Sequence, residues 1–499
     1  MGTVKLAIFH FSDFHSMLDS QVVEDVPHGS GSAVYVRTPG ISRFITRLNA
    51  ETYKAQKDGD QVLMFCSGDL SANTTIWGRE FRGCAEFSLL NCLRTQKCVF
   101  LLGNHEVDFG VEPLVTALGC WGGSERWVCL SNTLLTVPPG RHVTPSLGKR
   151  YCLIDDFGGP KIGVVSMTKF PPSPPLIADL RYDCIANAIR EMGSTDMLIV
   201  LSHLGLIEDS SMLIWFNSKH IPVDLILGGH DHIWYKDDPS NPHIVHSGHS
   251  GLGFSKIRYE LSTPPKFITH EFVRVSPYEE GDLNCLAATS YFLSNPMVSE
   301  SKHRVVGRTE TLLNCQRERS EWSAFGTIGA EAIVESFRAL LDERRIDAHR
   351  RIGLIGNSEF QELIPEGYIT QEAVEDVFIY NNFIHVYEVE GRSLYHILRG
   401  VYRRITIDNL GPHEYLQVYN LQVDRWDPLI VRDSSGRQIT GGDTEKYYVV
   451  TTSFVGAKYR PQFGTPLVEG GDTVTAFSQY LRAHTPISST RYSEVIPPI

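Results

Sequence analysis

At 499 residues the chain is longer than one hydrophobic core usually organises, so two domains are expected. Apolar residues make up 42% and charged residues 21%, an ordinary globular balance, and no apolar run is long enough to span a membrane. A net charge of −12 disfavours nucleic-acid polymers and anionic membranes as partners. It does not disfavour a small phosphorylated substrate, because bound cations would dominate the local field.

The predicted elements run as follows. Residues 4–9 form a short apolar run that reads as a buried strand and leads to Asp13-Phe14-His15. Residues 21–39, with Gly29-Ser30-Gly31-Ser32, read as a loop, either a lid or an exposed insertion. Residues 62–66 run into Gly68-Asp69, and 79–94 have the spacing of an amphipathic helix. Residues 98–102 run into Gly103-Asn104-His105-Glu106, with Asp108 close behind. Pro171-Pro172-Ser173-Pro174-Pro175 is a stiff surface loop. Residues 197–201 run into Ser202-His203, and 223–227 into Gly229-His230-Asp231-His232. His246 and His249 follow where they could line a cleft, whereas His220, His243 and His270 read as loop or strand polar residues.

Each motif alone has an ordinary reading: a turn for Gly68-Asp69, a helix N-cap for Asn104. Together they place seven candidate ligands after strands, where open α/β sheets bind their ligands. These are Asp13, His15, Asp69, Asn104, His203, His230 and His232. Oxygen and imidazole donors suit two divalent ions such as Zn, Mn, Fe, Co or Ni, and no cysteine stands in the motifs to make a structural zinc site. Asp69, central in the order, could bridge the two ions. Two ions about 3.5–4 Å apart clamp a phosphoryl group and lower the pKa of a bound water, which attacks phosphorus as hydroxide. His105 adjoins Asn104 and can face the substrate, while Asp108 orients its ring.

On these motifs the chain resembles the metal-dependent 5'-nucleotidase family, over nearly its whole length. The resemblance implies a calcineurin-like metallophosphoesterase domain at residues 1–275, with an α/β (α+β) four-layer sandwich fold. It also implies a linking helix at 276–303 and a smaller α/β substrate-binding domain at 304–499. Asp13, His15, Asp69 and His232 match one metal's ligands; Asp69, Asn104, His203 and His230 match the other's. His105 and Asp108 match the catalytic dyad. Many nucleotidases have Gln where His232 stands.

The second part begins with an expected helix at 328–341 and continues through Gly356-Asn357-Ser358-Glu359-Phe360-Gln361 and Ile364-Pro365-Glu366-Gly367. A strand at 383–389, a helix at 391–401 and an apolar stretch at 447–454 follow. The resemblance places Tyr380 and Phe454 as the aromatics that sandwich a base, and Arg319 as a phosphate contact. Two positions depart from the family. Gln361 stands where an Arg would meet phosphate, so the guanidinium fork is missing. Arg460 stands where an Asp would hold ribose hydroxyls, exchanging an acceptor for a donor.

The first strand starts so near the N-terminus that no signal peptide is expected ahead of Asp13, Leu6 breaks the myristoylation pattern, and the C-terminus carries no apolar tail. The ten cysteines include no C-x-x-C pair, and Cys66, Cys98 and Cys129 lie in apolar runs. A cytoplasmic protein with reduced thiols is the expectation. The functional expectation is a dimetal phosphomonoesterase, 5'-nucleotidase-like, acting on a phosphorylated metabolite. One alternative is a sugar-phosphate phosphatase, or a phosphodiesterase for cyclic nucleotides or nucleotide sugars. Another is a non-catalytic phospholigand-binding protein.

Overall fold

The computed structural model describes residues 4–30, 34–95, 97–122, 126–135, 148–157, 159–170, 176–262, 264–315, 322–408 and 414–488. The chain divides into two compact units, Met1–Val298 and Ser299–Ile499.

The first unit stacks two six-stranded sheets. In one, Val4–Phe11, Gln61–Cys66, Cys98–Phe100 and Arg126–Val128 run parallel side by side, and Gly253–Leu261 and Lys266–Arg274 complete the edge antiparallel. In the other, Met197–His203 lies between the parallel strands Ile162–Thr168 and Leu225–Gly228, and Ile244–Ser247 continues the parallel run. Strand side chains alternate between faces, and the two alternating sets go to different cores. Leu6, Ile8, Leu63 and Phe65 meet Ile162, Val164, Ile199, Leu201 and Leu227 between the sheets. The intervening Ala7, Phe9 and Phe11 pack outward against the helix Ile41–Lys57. Val165, Met167, Leu198 and Val200 pack outward against the helices Asp183–Met192 and Leu206–Ser218. The order helix, sheet, sheet, helix is the expected four-layer sandwich.

Several local expectations need correction. Residues 21–39 are not a plain loop: Val22–Asp25 and Val34–Arg37 pair as an antiparallel hairpin. Residues 79–94 are not one helix. Helix Ile76–Phe81 stops at Arg82, whose φ is 50°, and Gly83 at φ 91° starts a second helix, Cys84–Leu89. Apolar spacing alone does not register two consecutive left-handed residues. The proline-rich stretch at 171–175 lies outside the described residues. Segment 276–303 carries two helices, Leu283–Leu293 and Pro296–His303. All ten cysteines are free thiols, with Cys66, Cys98 and Cys129 buried. Among the described residues no helix is long and apolar enough to cross a membrane.

The second unit is built on a five-stranded sheet in the order Leu416–Tyr419, Arg351–Gly356, Lys446–Thr452, Phe383–Glu390, Val468–Asp472. Helices Ala324–Ser336 and Thr473–His484 cover one face and Gly391–Thr406 the other. The helix expected at 328–341 is thus displaced: it ends at Ser336, and Phe337 separates it from Arg338–Glu343. The stretch at 447–454 ends its strand at Thr452, whose hydroxyl caps the helix Ser453–Lys458.

Candidate metal centre

All seven candidate ligands converge at the carboxyl ends of strands in the two sheets. The backbone there is unusual. Asp13, His15, Asp69, His230 and His232 all have positive φ, between 51° and 84°. Such conformations cost a non-glycine residue about 1–3 kcal/mol, and they concentrate at functional sites. Here they let the Asp13, His15 and Ser16 amides donate to the carbonyls of Gly68, Asp69 and Leu70 at 2.9–3.0 Å, locking two ligand loops together. Glycine is required at Gly68, where φ is 90° and a Cβ would stand 2.6 Å from the Gly103 nitrogen.

Asp69 lies at the centre. Its Oδ2 is 2.9 Å from His203 Nε2 and 3.3 Å from His15 Nε2. Asp13, His15 and His232 form one group able to hold a cation, and Asp69, His203 and His230 form another. Asn104 Oδ1 joins the second group, 3.2 Å from His203 Nε2 and 3.0 Å from His230 Nδ1. The donor set fits cations on chemical grounds. His203 Nδ1 donates to the Ser67 carbonyl at 2.6 Å, so in the neutral ring Nε2 presents a lone pair. That lone pair faces a carboxylate oxygen and an amide oxygen, three acceptors that need a positive charge among them.

The electrostatics agree. Burial disfavours charge on His203, but Asp69 overrides it and raises the ring to about 10, so that a proton supplies the positive charge. Burial works against the Asp69 anion, yet His203 and His15 hold it well below the usual carboxylate range. Burial and then His203 lower His230 to about 4; burial and then His15 push His232 well down. Both rings stay neutral, the form that ligates a metal.

His105 is not a member of the Asp69–His203–His230 group. Its backbone N–H donates to Asp69 Oδ1 at 2.9 Å, and its Nδ1 pairs with Asp108 Oδ2 at 2.8 Å. Burial opposes protonation of this ring, but the Asp108 hydrogen bond and the charge of Asp69 raise it to about 9. His105 also stands close enough to His15 and Asp69 to complete a third possible ligand group. His249 stacks on His232 with ring centres 5.2 Å apart, whereas His246 turns away to pair with Asp209 in the core.

Sequence reasoning missed Glu106. Its buried carboxylate accepts from the amides of Gly103 at 2.6 Å, Asp69 at 2.8 Å and Ser71 at 3.0 Å. It therefore ties the Asp69 loop to the Asn104 loop. The available signal was its place as the one acid left without a role inside Gly103-Asn104-His105-Glu106.

Residues 6–234 match the calcineurin-like phosphoesterase family, and residues 305–458 match the 5'-nucleotidase C-terminal domain. The chain belongs to the 5'-nucleotidase family. Relatives include a 5'-nucleotidase-related protein of Glossina morsitans morsitans, 24% identical over 66% of this chain and 62% of its own. The human 5'-nucleotidase is 24% identical over 49% of this chain and 41% of its own, so the chain spans only part of the length of the curated relatives it matches. A 5'-nucleotidase precursor structure from Thermus thermophilus superposes with a TM-score of 0.73 at 20% identity, covering 96% of both chains. The sulfate thiohydrolase SoxB of the same species shares the fold, with a TM-score of 0.69 at 16% identity over 97% of this chain and 95% of its own.

In the nucleotidase C-terminal unit, Tyr380 and Phe454 are 57% and 46% exposed, so neither is a core residue. Gln361 is half-buried, and its side-chain amide donates to the Ser358 carbonyl. Arg460 is exposed and opens the short helix Arg460–Phe463. Arg319 lies outside the described residues. A second missed residue, buried Glu359, accepts from Gly356 N at 2.9 Å, Thr452 Oγ1 at 2.9 Å and Asn382 Nδ2 at 2.7 Å. It binds together the three segments that carry Gln361, Tyr380 and Phe454.

Proposed function

We propose that this chain is a phosphomonoesterase that hydrolyses a small phosphorylated metabolite in the manner of a 5'-nucleotidase. The observation that carries this reading is the pair of ligand groups meeting at Asp69, with the His105–Asp108 pair beside them. Asp13, His15, Asp69 and His232 would hold one divalent ion, and Asp69, Asn104, His203 and His230 the other. Two ions there would supply Lewis acidity, lowering the pKa of water and neutralising phosphoryl oxygens. His105, with Nδ1 committed to Asp108, keeps Nε2 for the substrate. The Asp108 hydrogen bond favours the protonated ring, which is suited to stabilise phosphoryl charge and to protonate the leaving oxygen.

Exposed Tyr380 and Phe454 supply ring faces for a base, with about 0.5–1.5 kcal/mol from stacking. A second substrate reading rests on Gln361 and Arg460. Without the guanidinium fork and the ribose acceptor, a sugar phosphate, a cyclic nucleotide or a nucleotide sugar fits the centre equally well. Protein loaded with Mn, Zn or Co and offered AMP, sugar phosphates, cyclic nucleotides and nucleotide sugars should release phosphate or a phosphomonoester from at least one class. Stoichiometric metal binding without turnover on any of them would leave a phospholigand-binding protein instead.

A further inference from the structure

Between the two sheets, in a layer made mostly of apolar side chains, a file of polar side chains crosses the core. His270 Nε2 is 3.2 Å from Ser255 Oγ, Ser255 Oγ is 2.8 Å from Ser247 Oγ, and Ser247 Oγ is 2.6 Å from His10 Nδ1. His10 Nε2 is then 2.9 Å from Ser67 Oγ, which donates to the Leu227 carbonyl at 2.6 Å. Ser67, His10, Ser247 and Ser255 are at most 1% exposed. The file steps from the first sheet, at His10 and Ser255, to the second, at Ser247 and Leu227.

Proton counting fixes the end of the file at Ser67. A hydroxyl has one hydrogen, and that of Ser67 is committed to Leu227. His10 must therefore donate from Nε2 to Ser67. Burial holds His10 well below its usual range, with His246 and His270 adding to the effect. Ser247 Oγ donates to Ser255 Oγ, and the rings of His10 and His270 flank that pair through Nδ1 and Nε2. Aligned chains of this kind polarise one another and hold their members in place.

The file ends on the residue that orients the candidate metal centre. The carbonyl of Ser67 receives His203 Nδ1–H at 2.6 Å, and the next two residues are Gly68 and Asp69. Buried polar groups are expensive when unmatched, and a layer of this kind would be filled at least as well by apolar side chains. Position, not stability, is what the file supplies.

We infer that His10 is a positioning residue: held by Ser247 and Ser255, it sets the Ser67 peptide, which in turn aims His203 Nε2 at the metal site. This rests on the dimetal reading above. Outer partners of metal-ligating histidines typically change metal affinity 10–100-fold.

The test uses the full chain stripped of metal and titrated with Co2+ against a competing chelator, with the visible Co2+ spectrum recorded. Wild type is compared with His10→Phe, Ser247→Ala and a control, Ser166→Ala. Ser166 is a fully buried hydroxyl of the second sheet that bonds to the Cys129 carbonyl, off the file. His10→Phe and Ser247→Ala should each weaken one Co2+ equivalent roughly 10–100-fold and shift its absorption bands, while Ser166→Ala leaves both unchanged. If His10→Phe fails to fold, the milder Ser247→Ala decides alone. Unchanged Co2+ affinity and spectrum in folded Ser247→Ala, or equal weakening by Ser166→Ala, overturns the positioning role. Failure of the wild type to bind Co2+ would instead overturn the dimetal reading on which it rests.

Discussion

Glu106 offers the sharpest test of how the centre is built. Its three backbone donors come from two loops, Gly103 from one and Asp69 and Ser71 from the other. Hydrogen bonds to a charged acceptor are each worth about 1.5–3 kcal/mol. Glu106→Gln preserves length and shape. With its amide oxygen in place of Oε2 it keeps the Gly103 and Asp69 bonds, but the NH2 group then confronts the Ser71 N–H. One bond is lost, one buried donor is orphaned, and the two remaining bonds go to a neutral acceptor, a cost of at least about 2 kcal/mol. Glu106→Ala orphans all three donors and should cost more. The assay is guanidinium unfolding of chelator-treated protein, followed through the first unit's Trp77, Trp121, Trp127, Trp215 and Trp234, with metal content measured after reloading. Lower stability of that unit and loss of bound metal are expected together. A change below about 0.5 kcal/mol with full metal content in Glu106→Gln would refute the argument that this carboxylate joins the loops.

The remaining predictions concern chemistry and pH. Asp69→Asn should abolish turnover and normal metal stoichiometry, because Asp69 Oδ2 lies within 3.3 Å of histidines from both groups; two retained ions with full activity would remove its bridging role. His105→Ala should cost about 10²–10⁴-fold in turnover with metal content nearly intact, as metal analysis beside kinetics will tell. Burial raises Glu359 to about 7, despite the donors of Gly356, Thr452 and Asn382. Folded Glu359 thus binds its proton more tightly than the unfolded chain does. The stability this contributes is full below about pH 4.5 and is lost as pH rises through about 7, some 3 kcal/mol in all. Melting curves from pH 4 to 8 should show a shallower decline in Glu359→Gln than in wild type; parallel curves would contradict the shift. Arg460→Ala should raise KM for the preferred anionic substrate by roughly two- to fivefold and leave that for AMP nearly unchanged, and the opposite pattern in steady-state kinetics would return the chain to ordinary nucleotide preference.

Local sequence was sufficient for whatever depends on local order. Apolar runs of strand length ended at Asp13, Asp69, Asn104, His203 and His230, and strand ends are where an α/β sheet presents side chains to a ligand. Residue type then named the donors, because carboxylates, an amide and imidazoles have few other reasons to recur at those ends. The expected helix at 79–94 shows the limit. Its apolar spacing continues smoothly across Arg82 and Gly83, and only the packed chain reveals two left-handed residues there.

Tertiary structure alone decided which polar groups meet. The motif marks Glu106 as an acid without a role, but its inward turn onto the Asp69 and Ser71 amides depends on a loop more than thirty residues away. Glu359 likewise gathers Asn382 and Thr452 from distant segments. His10 stands in an apolar strand and reads as an isolated core histidine until Ser67, Ser247 and Ser255 are brought against it from three other segments. The physical reason is common to all three. A strand or turn forms from the preferences of neighbouring residues, whereas a buried polar atom is tolerated only if partners far along the chain are delivered to it within about 3 Å, and that delivery is a property of the folded core.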